Sequence, residues 1–309
     1  MAAEARMPQG IPAAYLSAGQ TRGRYRDGWY TEEEIDTLRL AIRVRARLHH
    51  EESPYQRISI YDSDFFGRFL TLDDIMMFTQ RDEHVYHEML VHVPLCNLAA
   101  AESVLIIGGG DCGCLREVLR HSGIRRVVQC ELDRRVIEVC KEWFPWVTPA
   151  LADPRVETIY GDGRAYVRER EAAWDLIIVD STDPVGPATA LFLADFYRDA
   201  AAALRPHGVL TAQVGSPHWA PDLVGAVFDQ QRQAFPSVQG YLGQLPTYQS
   251  GTWCWSYASR DSHDPSLPRL QPAAEMAAGC RYYNAAAHTA AFSLPNYARR
   301  AVGGGRGPA

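Results

Sequence analysis

The stretch "VLIIGGGDCGCLREVL", residues 104–119, decides the fold. An apolar segment runs into three consecutive glycines, Asp111 follows, and the residues behind it have helical spacing. A buried strand that turns on glycines into a helix is typical of α/β folds that bind part of a nucleotide, because the backbone can approach the ligand and the first helix amides stay free. The carboxylate at the tip of this turn needs a chemical reason of its own.

Strand-like and helix-like segments alternate after residue 99. Helices are predicted to begin near Gly113, Arg134, Gly163 and Ala190. This alternation predicts an α/β fold with a doubly wound, mostly parallel sheet, and "VQGYLGQLPTYQSG" with "TWCWSYASR" predict an antiparallel pair at one edge. The predicted parallel strands are "SVLIIGG" (103–109), "RVVQCELD" (126–133), "RVETIYGD" (155–162), "WDLIIVDS" (174–181) and "GVLTAQVG" (208–215).

The N-terminal part of the chain has a different pattern. Thr31 and Glu34 form a capping box, and acids in the first turn precede Arg and His residues, which predicts a helix. Short β-rich runs between Asp and Gly turns then predict small hairpins. The predicted divisions are a flexible N-terminal segment (1–30), an N-terminal helix (31–52), a small antiparallel β-hairpin domain with a linking helix (53–95), a Rossmann-like catalytic domain (96–300) and a flexible tail (301–309).

Composition narrows the class of protein. The chain has 309 residues, 47% of them hydrophobic and 22% charged, which is ordinary for a globular protein with a core. A formal net charge of −6 argues against a nucleic-acid partner. We find no membrane-length apolar run and no secretory signal, and the seven scattered cysteines predict reduced thiols in a cytoplasmic protein.

Acidic residues stand at the ends of four consecutive predicted strands: Asp111, Glu131, Asp162 and the "DSTD" run that begins at Asp180. Ligands of an open parallel sheet bind beyond these carboxyl ends. Glu131 is suited to accept both ribose hydroxyls, and Asp162 to accept from an adenine amino group. Acids at strand ends also cap the following helices, which is the interpretation we favour for Asp133.

The turn also fits a dinucleotide fingerprint, because Gly108, Gly110 and Gly113 satisfy G-x-G-x-x-G. An NAD-dependent dehydrogenase is therefore an alternative. However, Asp111 would lie where a pyrophosphate binds, and like charges there are unfavourable. Asp111 would equally repel the methionine carboxylate of S-adenosylmethionine. A donor that has lost this carboxylate and kept its ammonium would instead form a charge-assisted hydrogen bond, which favours decarboxylated S-adenosylmethionine.

Several motifs in order resemble the polyamine aminopropyltransferases, the spermidine synthase family, over residues 25 to 300. This resemblance implies a class I methyltransferase-like Rossmann domain behind a small β-domain, assembled as a homodimer or homotetramer. It implies transfer of an aminopropyl group to a diamine, with release of 5′-methylthioadenosine and with no cofactor or metal. The motifs are "TQRDEHVYHEMLVHVPL" (79–95), "GGGDCGCLREVLRH" (108–121), "QCELD" (129–133), "GDGRAYV" (161–167), "DSTDPVGPA" (180–188), "LPTYQSG" (245–251) and "RYYNAAAHTAAFSLPNYAR" (281–299).

The same resemblance implies residue roles. Asp180 is implied as the proton acceptor, which suits an amine nucleophile that is almost wholly protonated at neutral pH. The residues implied to bind the amine or the aminopropyl group are Trp29, Tyr86, His87, Asp111, Asp183 and Tyr248. The residues implied to contact the nucleoside are Gln56, Gly108, Gly110, Glu131, Asp162, Gly163 and Pro187.

The sequence departs from the family pattern at several positions, which leaves the acceptor open. Cys112 replaces a glycine, and we interpret it and Cys114 as packing residues rather than a metal pair. Asp74 and Met77 alter the predicted roof of the channel, and Ala226 stands where an acid for the distal amine is often found. Putrescine is the expected acceptor, with agmatine, cadaverine and spermidine as alternatives. An S-adenosylmethionine-dependent N-methyltransferase and a non-catalytic polyamine or nucleoside sensor remain competing functions.

Overall fold

The computed structural model describes residues 24–35, 38–184, 186–271 and 274–303, and the structural statements below refer to these. They form a six-stranded antiparallel sheet followed by a seven-stranded mixed sheet with helices on both faces. This confirms the predicted fold class. No helix in these ranges is long and apolar enough to cross a membrane.

The smaller sheet is built from strands that pair in sequence order, each antiparallel to the next. Its buried face includes Ile58, Ile60 and Leu70, which pack against the larger domain. The strands are β1 (Arg24–Arg26), β2 (Trp29–Ile35), β3 (Leu38–Glu52), β4 (Arg57–Ser63), β5 (Gly67–Leu72) and β6 (Ile75–Thr79).

The predicted N-terminal helix over 31–52 is wrong, because this segment forms most of β2 and all of β3. Between residues 38 and 48 every second residue is apolar, and arginines fill most positions between them. This period of two places Ile42 and Val44 on the buried face of a strand, whereas a helix would scatter the same residues around its surface. The capping box is a short local signal, and the longer alternation outweighs it.

The predicted flexible ends are also too long. Residues 24–30 belong to β1, to β2 and to the turn between them, while residues 1–23 lie outside the described part of the chain. At the other end, Ala301 and Val302 are buried against the larger domain, so the ordered chain continues past residue 300. Residues 304–309 lie outside the described ranges.

The larger sheet has the strand order β12-β13-β11-β10-β7-β8-β9. Strands β7 to β11 run parallel to one another, and β12 and β13 form the predicted antiparallel edge, with β13 antiparallel to β11. The strands are β7 (Ser103–Gly108), β8 (Arg126–Glu131), β9 (Val156–Tyr160), β10 (Trp174–Asp180), β11 (Leu204–Gly215), β12 (Ser237–Gln244) and β13 (Thr252–Ser259).

Helices cover both faces of this sheet. The described helices are α1 (Glu83–Asn97), α2 (Gly113–Leu119), α3 (Arg134–Trp143), α4 (Gly163–Arg168), α5 (Ala194–Ala203), α6 (Pro221–Arg232), α7 (Ala274–Gly279), α8 (Ala285–Ala291) and α9 (Asn296–Val302), with 3₁₀ turns at Thr148–Ala152 and Gly186–Phe192.

Helix α1 belongs to the larger domain and is not a link between domains. Every residue of α1 except His84 is buried. Its residues Val85, Met89 and Val93 share one apolar core with Leu115 and Val118 of α2. The predicted boundary at residue 95/96 therefore falls inside a packed helix, and the two domains meet just before α1.

The two domains are joined by hydrogen bonds as well as by apolar packing. The buried carboxylate of Asp82 accepts from the amide of Thr247 at 2.8 Å and from the hydroxyl of Thr79 at 2.7 Å, and it also accepts from the Thr247 hydroxyl. One residue further, the hydroxyl of Tyr248 donates to the carbonyl oxygen of Met77 at 2.6 Å. The "LPTY" loop of the larger domain is thus fixed to the smaller sheet.

Candidate active site

A cavity of about 1300 Å³ lies where the carboxyl ends of β7, β8 and β10 face the hairpins of the smaller sheet. This is the edge at which parallel sheets bind ligands. Asp74 and Met77 line it from the hairpin side, as the sequence predicted. The other predicted site residues that line it are Gln56, Tyr86, His87, Gly108, Gly110, Asp111, Glu131, Asp162, Gly163, Asp180, Asp183, Pro187 and Tyr248.

Trp29 is the one predicted site residue that the structure does not bring to this cavity. It lies on β2, the strand next to the edge strand β1, and its side chain is 43% exposed. The Arg43 guanidinium lies 5.6 Å from the centre of its ring. Strand β3 separates β2 from the strands that roof the cavity.

The glycine turn is packed directly against the end of β10. Gly108 has a φ of +83°, and a Cβ there would lie 2.2 Å from the carbonyl oxygen of Asp180. Cys112 also has a left-handed φ, of +69°, at the position where the family pattern has glycine. Its side chain and that of Cys114 are fully buried in the core under the turn, in agreement with their interpretation as packing residues.

Asp111 is held by one of its two carboxylate oxygens. Its Oδ1 accepts from the amide of Gly113 at 2.6 Å and lies 3.2 Å from Nε2 of His87. Within the described ranges its Oδ2 has no protein hydrogen-bond partner, and the side chain lines the cavity. Asp111 is therefore fixed in direction and keeps one oxygen for a ligand.

Asp180 ends β10 and combines a satisfied oxygen with an unsatisfied one. The Tyr86 hydroxyl donates to its Oδ1 at 2.9 Å, whereas Oδ2 is buried and has no partner in the described part of the chain. Burial, and then the charge of Asp111, raise the pKa of Asp180 to about 6. A carboxylate with this pKa is ionised at neutral pH and accepts a proton more readily than an exposed aspartate.

Asp183 lies beyond Asp180 along the same loop. Nε2 of Gln213 lies 3.4 Å from its Oδ1 and 3.2 Å from the carbonyl oxygen of Ser181. Burial raises the pKa of Asp183. Oε1 of Gln213 is buried without a partner among the described residues, but Gln213 is not one of the described residues that line the cavity.

Two tyrosines flank these acids. The rings of Tyr86 and Tyr248 are 6.4 Å apart and nearly perpendicular. Trp253 packs at 4.2 Å from the Tyr248 ring, and Trp255 at 5.8 Å from the Tyr86 ring. Aromatic faces beside unpaired carboxylates suit a narrow cationic ligand.

Glu131 and Asp133 end β8 on the other side of the cavity. Glu131 is buried, and its Oε1 accepts from the amide of Asp133 at 2.8 Å. Burial raises the pKa of Glu131 to about 7. Asp133 caps α3 as predicted, by accepting from the amide of Arg135, and its second oxygen accepts from Nε2 of Gln56 at 3.0 Å. Gln56 is thus brought from the smaller sheet to the end of β8.

Asp162 and Gly163 form the third point on this side. Asp162 caps α4, because its Oδ1 accepts from the amide of Arg164 at 2.8 Å. A Cβ on Gly163 would lie 2.4 Å from Cγ2 of Ile107, so only glycine lets α4 start this close to β7. Cap and ligand contact are compatible for Asp162, since only one of its oxygens is used.

The sequence patterns did not point to Glu83 and Arg116, which lie behind His87. Nδ1 of His87 lies 2.6 Å from Oε2 of Glu83, and Arg116 donates to both oxygens of Glu83 at 2.8 and 2.9 Å. The available signal was the spacing of four residues between Glu83 and His87, which puts both on one face of α1.

His87, Cys114 and Asp180 also form a group whose possible ligand atoms lie within 4.8 Å of one another. Such a group is a metal site only if the imidazole offers a lone pair. Both ring nitrogens of His87 face carboxylates, those of Glu83 and Asp111, and the residues present therefore do not fit a metal ion.

Comparisons with known proteins agree with this geometry. The family model described as "Spermine/spermidine synthase domain" matches residues 83–267, and that described as "Spermidine synthase tetramerisation domain" matches residues 28–80. The chain is 38% identical over 278 residues to the polyamine aminopropyltransferase of Clostridium beijerinckii, and the aligned region covers 89% of this chain and 98% of that protein. It is 41% identical over 269 residues to that of Moorella thermoacetica, which covers 87% and 94%.

Solved structures give the same result. A spermidine synthase in complex with the transition-state analogue AdoDATO superposes with a TM-score of 0.84 and 34% identity, over 92% of this chain and 97% of that one. The spermidine synthase of Thermotoga maritima gives a TM-score of 0.83 at 34% identity, with the same coverage of both chains.

Proposed function

Because the chain belongs to the spermine/spermidine synthase family, we propose that it transfers the aminopropyl group of decarboxylated S-adenosylmethionine to a diamine. Putrescine is the proposed acceptor, and spermidine and 5′-methylthioadenosine are the proposed products. One observation carries this: Asp111, Asp180 and Asp183 face one cavity, and within the described residues none of them pairs with Lys or Arg, while His87 faces only one oxygen of Asp111. Such acids call for a cationic ligand.

The donor is proposed to lie with its nucleoside against Gln56, Glu131 and Asp162, which we name the nucleoside half of the cavity. A carboxylate that keeps one free oxygen at the end of the second strand suits the ribose hydroxyls. Gly163 and Pro187 line the same region. The aminopropyl ammonium then reaches Oδ2 of Asp111. The same carboxylate would repel the carboxylate of a methionine tail.

The acceptor is proposed to lie along Asp180, Asp183 and Tyr248, which we name the amine half. The amine nitrogen attacks the propyl carbon attached to the sulfonium, the carbon–sulfur bond breaks, and its electron pair stays on sulfur. Asp180 takes the proton that the nitrogen loses, while Asp183 and the tyrosine rings hold the rest of the cation in line. The sulfonium is already a good leaving group, so these residues need only align the reactants and move one proton.

The test is to incubate the protein with decarboxylated S-adenosylmethionine and each of putrescine, cadaverine, agmatine and spermidine, and to follow release of 5′-methylthioadenosine. We expect release that depends on the amine and is fastest with putrescine. Formation of S-adenosylhomocysteine from S-adenosylmethionine with any of these amines would instead support an N-methyltransferase. Tight binding without turnover of either donor would support a sensor.

We propose that the smaller sheet also joins copies of this chain. The family model matched there is named for tetramerisation. Trp29, Tyr25 and Phe65 on this part of the chain are 43%, 39% and 60% exposed, as expected for a surface that a partner covers. Light scattering after size exclusion should give a dimer or tetramer mass, and a monomer would contradict the proposal. A cytoplasmic location remains part of the proposal.

A further inference from the structure

A line of buried ionic contacts leads away from Asp111. His87 bridges Asp111 and Glu83, and Arg116 binds both oxygens of Glu83. Nε of Arg116 also donates to Glu117 at 2.7 Å. His87 and Glu83 are 1% and 4% exposed, so these contacts are shielded from water.

The geometry defines the protonation of His87 without reference to its titration. Its two ring nitrogens each face a carboxylate oxygen, at 2.6 Å for Glu83 and 3.2 Å for Asp111. Carboxylates accept hydrogen bonds, so this arrangement favours hydrogen on both nitrogens, which makes the ring an imidazolium. In agreement, burial lowers the pKa of His87, but the charges of Asp111 and Glu83 outweigh burial and raise it to about 10.

The ring is also fixed in position from its flat side. A Cβ on Gly113 would lie 2.1 Å from Cε1 of His87, so the ring rests on the first residue of α2. Gly113 and His87 both bind Oδ1 of Asp111. The direction of Oδ2 therefore depends on the place of His87, which depends in turn on Glu83 and Arg116.

We infer that Glu83 and Arg116 are positioning residues, which hold His87 as a cation so that Asp111 presents its free oxygen to the ammonium of the aminopropyl donor. This inference rests on the proposed function. Neither residue touches the substrate in this scheme. Arg116 is needed because it fixes Glu83 with two parallel hydrogen bonds, a geometry that a lysine does not reproduce.

The charged and titratable groups around His87 come from three elements. Helix α1 supplies Glu83 and Tyr86, the turn and helix α2 supply Asp111, Cys114 and Arg116, and β10 supplies Asp180. Phe78 packs from β6 at 6.3 Å and carries no charge. Glu83 is the carboxylate in this set that we do not expect to contact a ligand. Its replacement therefore tests the protonation of the His87 ring without removing a ligand contact.

The first test is independent of activity. Histidine-labelled wild type, Glu83→Gln and a His87→Gln reference are titrated by NMR, and the His87 signal is identified by its absence from the reference. We expect His87 to stay protonated to about pH 10 in the wild type, and its pKa to fall by about one unit or more in Glu83→Gln. An unchanged His87 pKa in a folded Glu83→Gln variant would overturn the inference.

The second test separates positioning from folding. Arg116→Met should weaken binding of decarboxylated S-adenosylmethionine about tenfold, roughly one charge-assisted hydrogen bond, while 5′-methylthioadenosine, which lacks the aminopropyl group, binds as in the wild type. Arg116→Lys should recover only part of the loss. The matched control is Arg205→Met, which breaks a similar two-oxygen pair with Asp175 at the opposite end of β10.

The results distinguish this inference from the proposed function. Equal weakening of both nucleosides in Arg116→Met, or the same donor loss in Arg205→Met, would mean a general structural effect and overturn the positioning role. A wild type that binds the donor without turnover would contradict the proposed reaction, yet the NMR result would still decide the role of Glu83.

Discussion

The acids in the two halves of the cavity differ in their hydrogen-bond partners. In the nucleoside half, Glu131 and Asp162 each accept a hydrogen bond from a backbone amide two residues further along the chain. In the amine half, Oδ2 of Asp180 is buried and has no partner in the ranges that the structure describes. In the first half the fold therefore holds one oxygen of each acid through a backbone amide, whereas in the second half a buried carboxylate oxygen gains a partner only when a ligand binds.

This difference separates the residues that stabilise the protein from those that perform the reaction. Buried polar atoms without partners destabilise a folded chain, and such exceptions are concentrated at functional sites. Substitutions in the nucleoside half should therefore affect binding and stability together. Substitutions of Asp180 in the amine half should affect turnover and leave stability unchanged or improved.

The largest expected effect comes from Asp180→Asn. Loss of the proton acceptor should lower kcat by about a thousandfold, the range of general base catalysis, with affinity for 5′-methylthioadenosine retained. The variant should also be at least as stable as the wild type at pH 7.5, because it removes a buried charge whose pKa is raised. Steady-state release assays measure kcat and thermal unfolding measures stability. The control is Asp229→Asn, at an exposed position of α6.

A variant that kept more than a tenth of the wild-type kcat would remove Asp180 from the proposed role. A large loss of stability in Asp180→Asn would instead break the contrast between the two halves.

The second effect, in the nucleoside half, is expected for Glu131→Ala. Loss of a hydrogen bond to the ribose should weaken 5′-methylthioadenosine binding about tenfold or more. The amide of Asp133 also loses its partner, at a cost of about 1 kcal/mol in unfolding free energy, and removal of a buried carboxyl whose pKa is raised to about 7 offsets part of this cost. Calorimetry and denaturant titration test this. Glu157→Ala, on the exposed side of β9, should change neither quantity, and unchanged binding in Glu131→Ala would refute the ribose contact.

The smallest effect is on the pH dependence. Because the pKa of Asp180 is raised to about 6, kcat/KM for the amine should fall as the pH drops through about 6. Tyr86→Phe removes a hydrogen bond that favours the ionised carboxylate of Asp180. The fall of kcat/KM at low pH should therefore move to higher pH, by less than about one unit. If the pH at which kcat/KM falls is unchanged or lower in Tyr86→Phe, a group other than Asp180 controls this pH dependence.

The nucleoside half was predictable from the sequence, because its signals are local. A strand, an acid at its end and a helix two residues later are contiguous, as at Asp133 and Asp162, and the glycine turn leads directly into α2. The same reasoning found the parallel sheet and its antiparallel edge. The site roles of individual residues remain proposals.

The remaining features depend on contacts between distant segments. Tyr86 donates to Asp180, and Arg116 donates to Glu83, from a different element in each case. No local sequence pattern therefore predicts either pair. The error over 31–52 has another origin: a capping pattern was preferred to a period of two that was visible in the alternating arginines of β3. Trp29 was assigned from its motif alone, and its strand lies away from the cavity.

The Asp82 cluster at the junction of the domains has a consequence for substrate exchange. A hinge motion that lifted the smaller sheet from the "LPTY" loop would leave the buried carboxylate of Asp82 without its Thr247 partner and would break the Tyr248 contact with Met77. Substrates and products must then pass while this junction stays closed. Exchange is therefore expected to be gated by small local movements rather than by opening of the whole cleft.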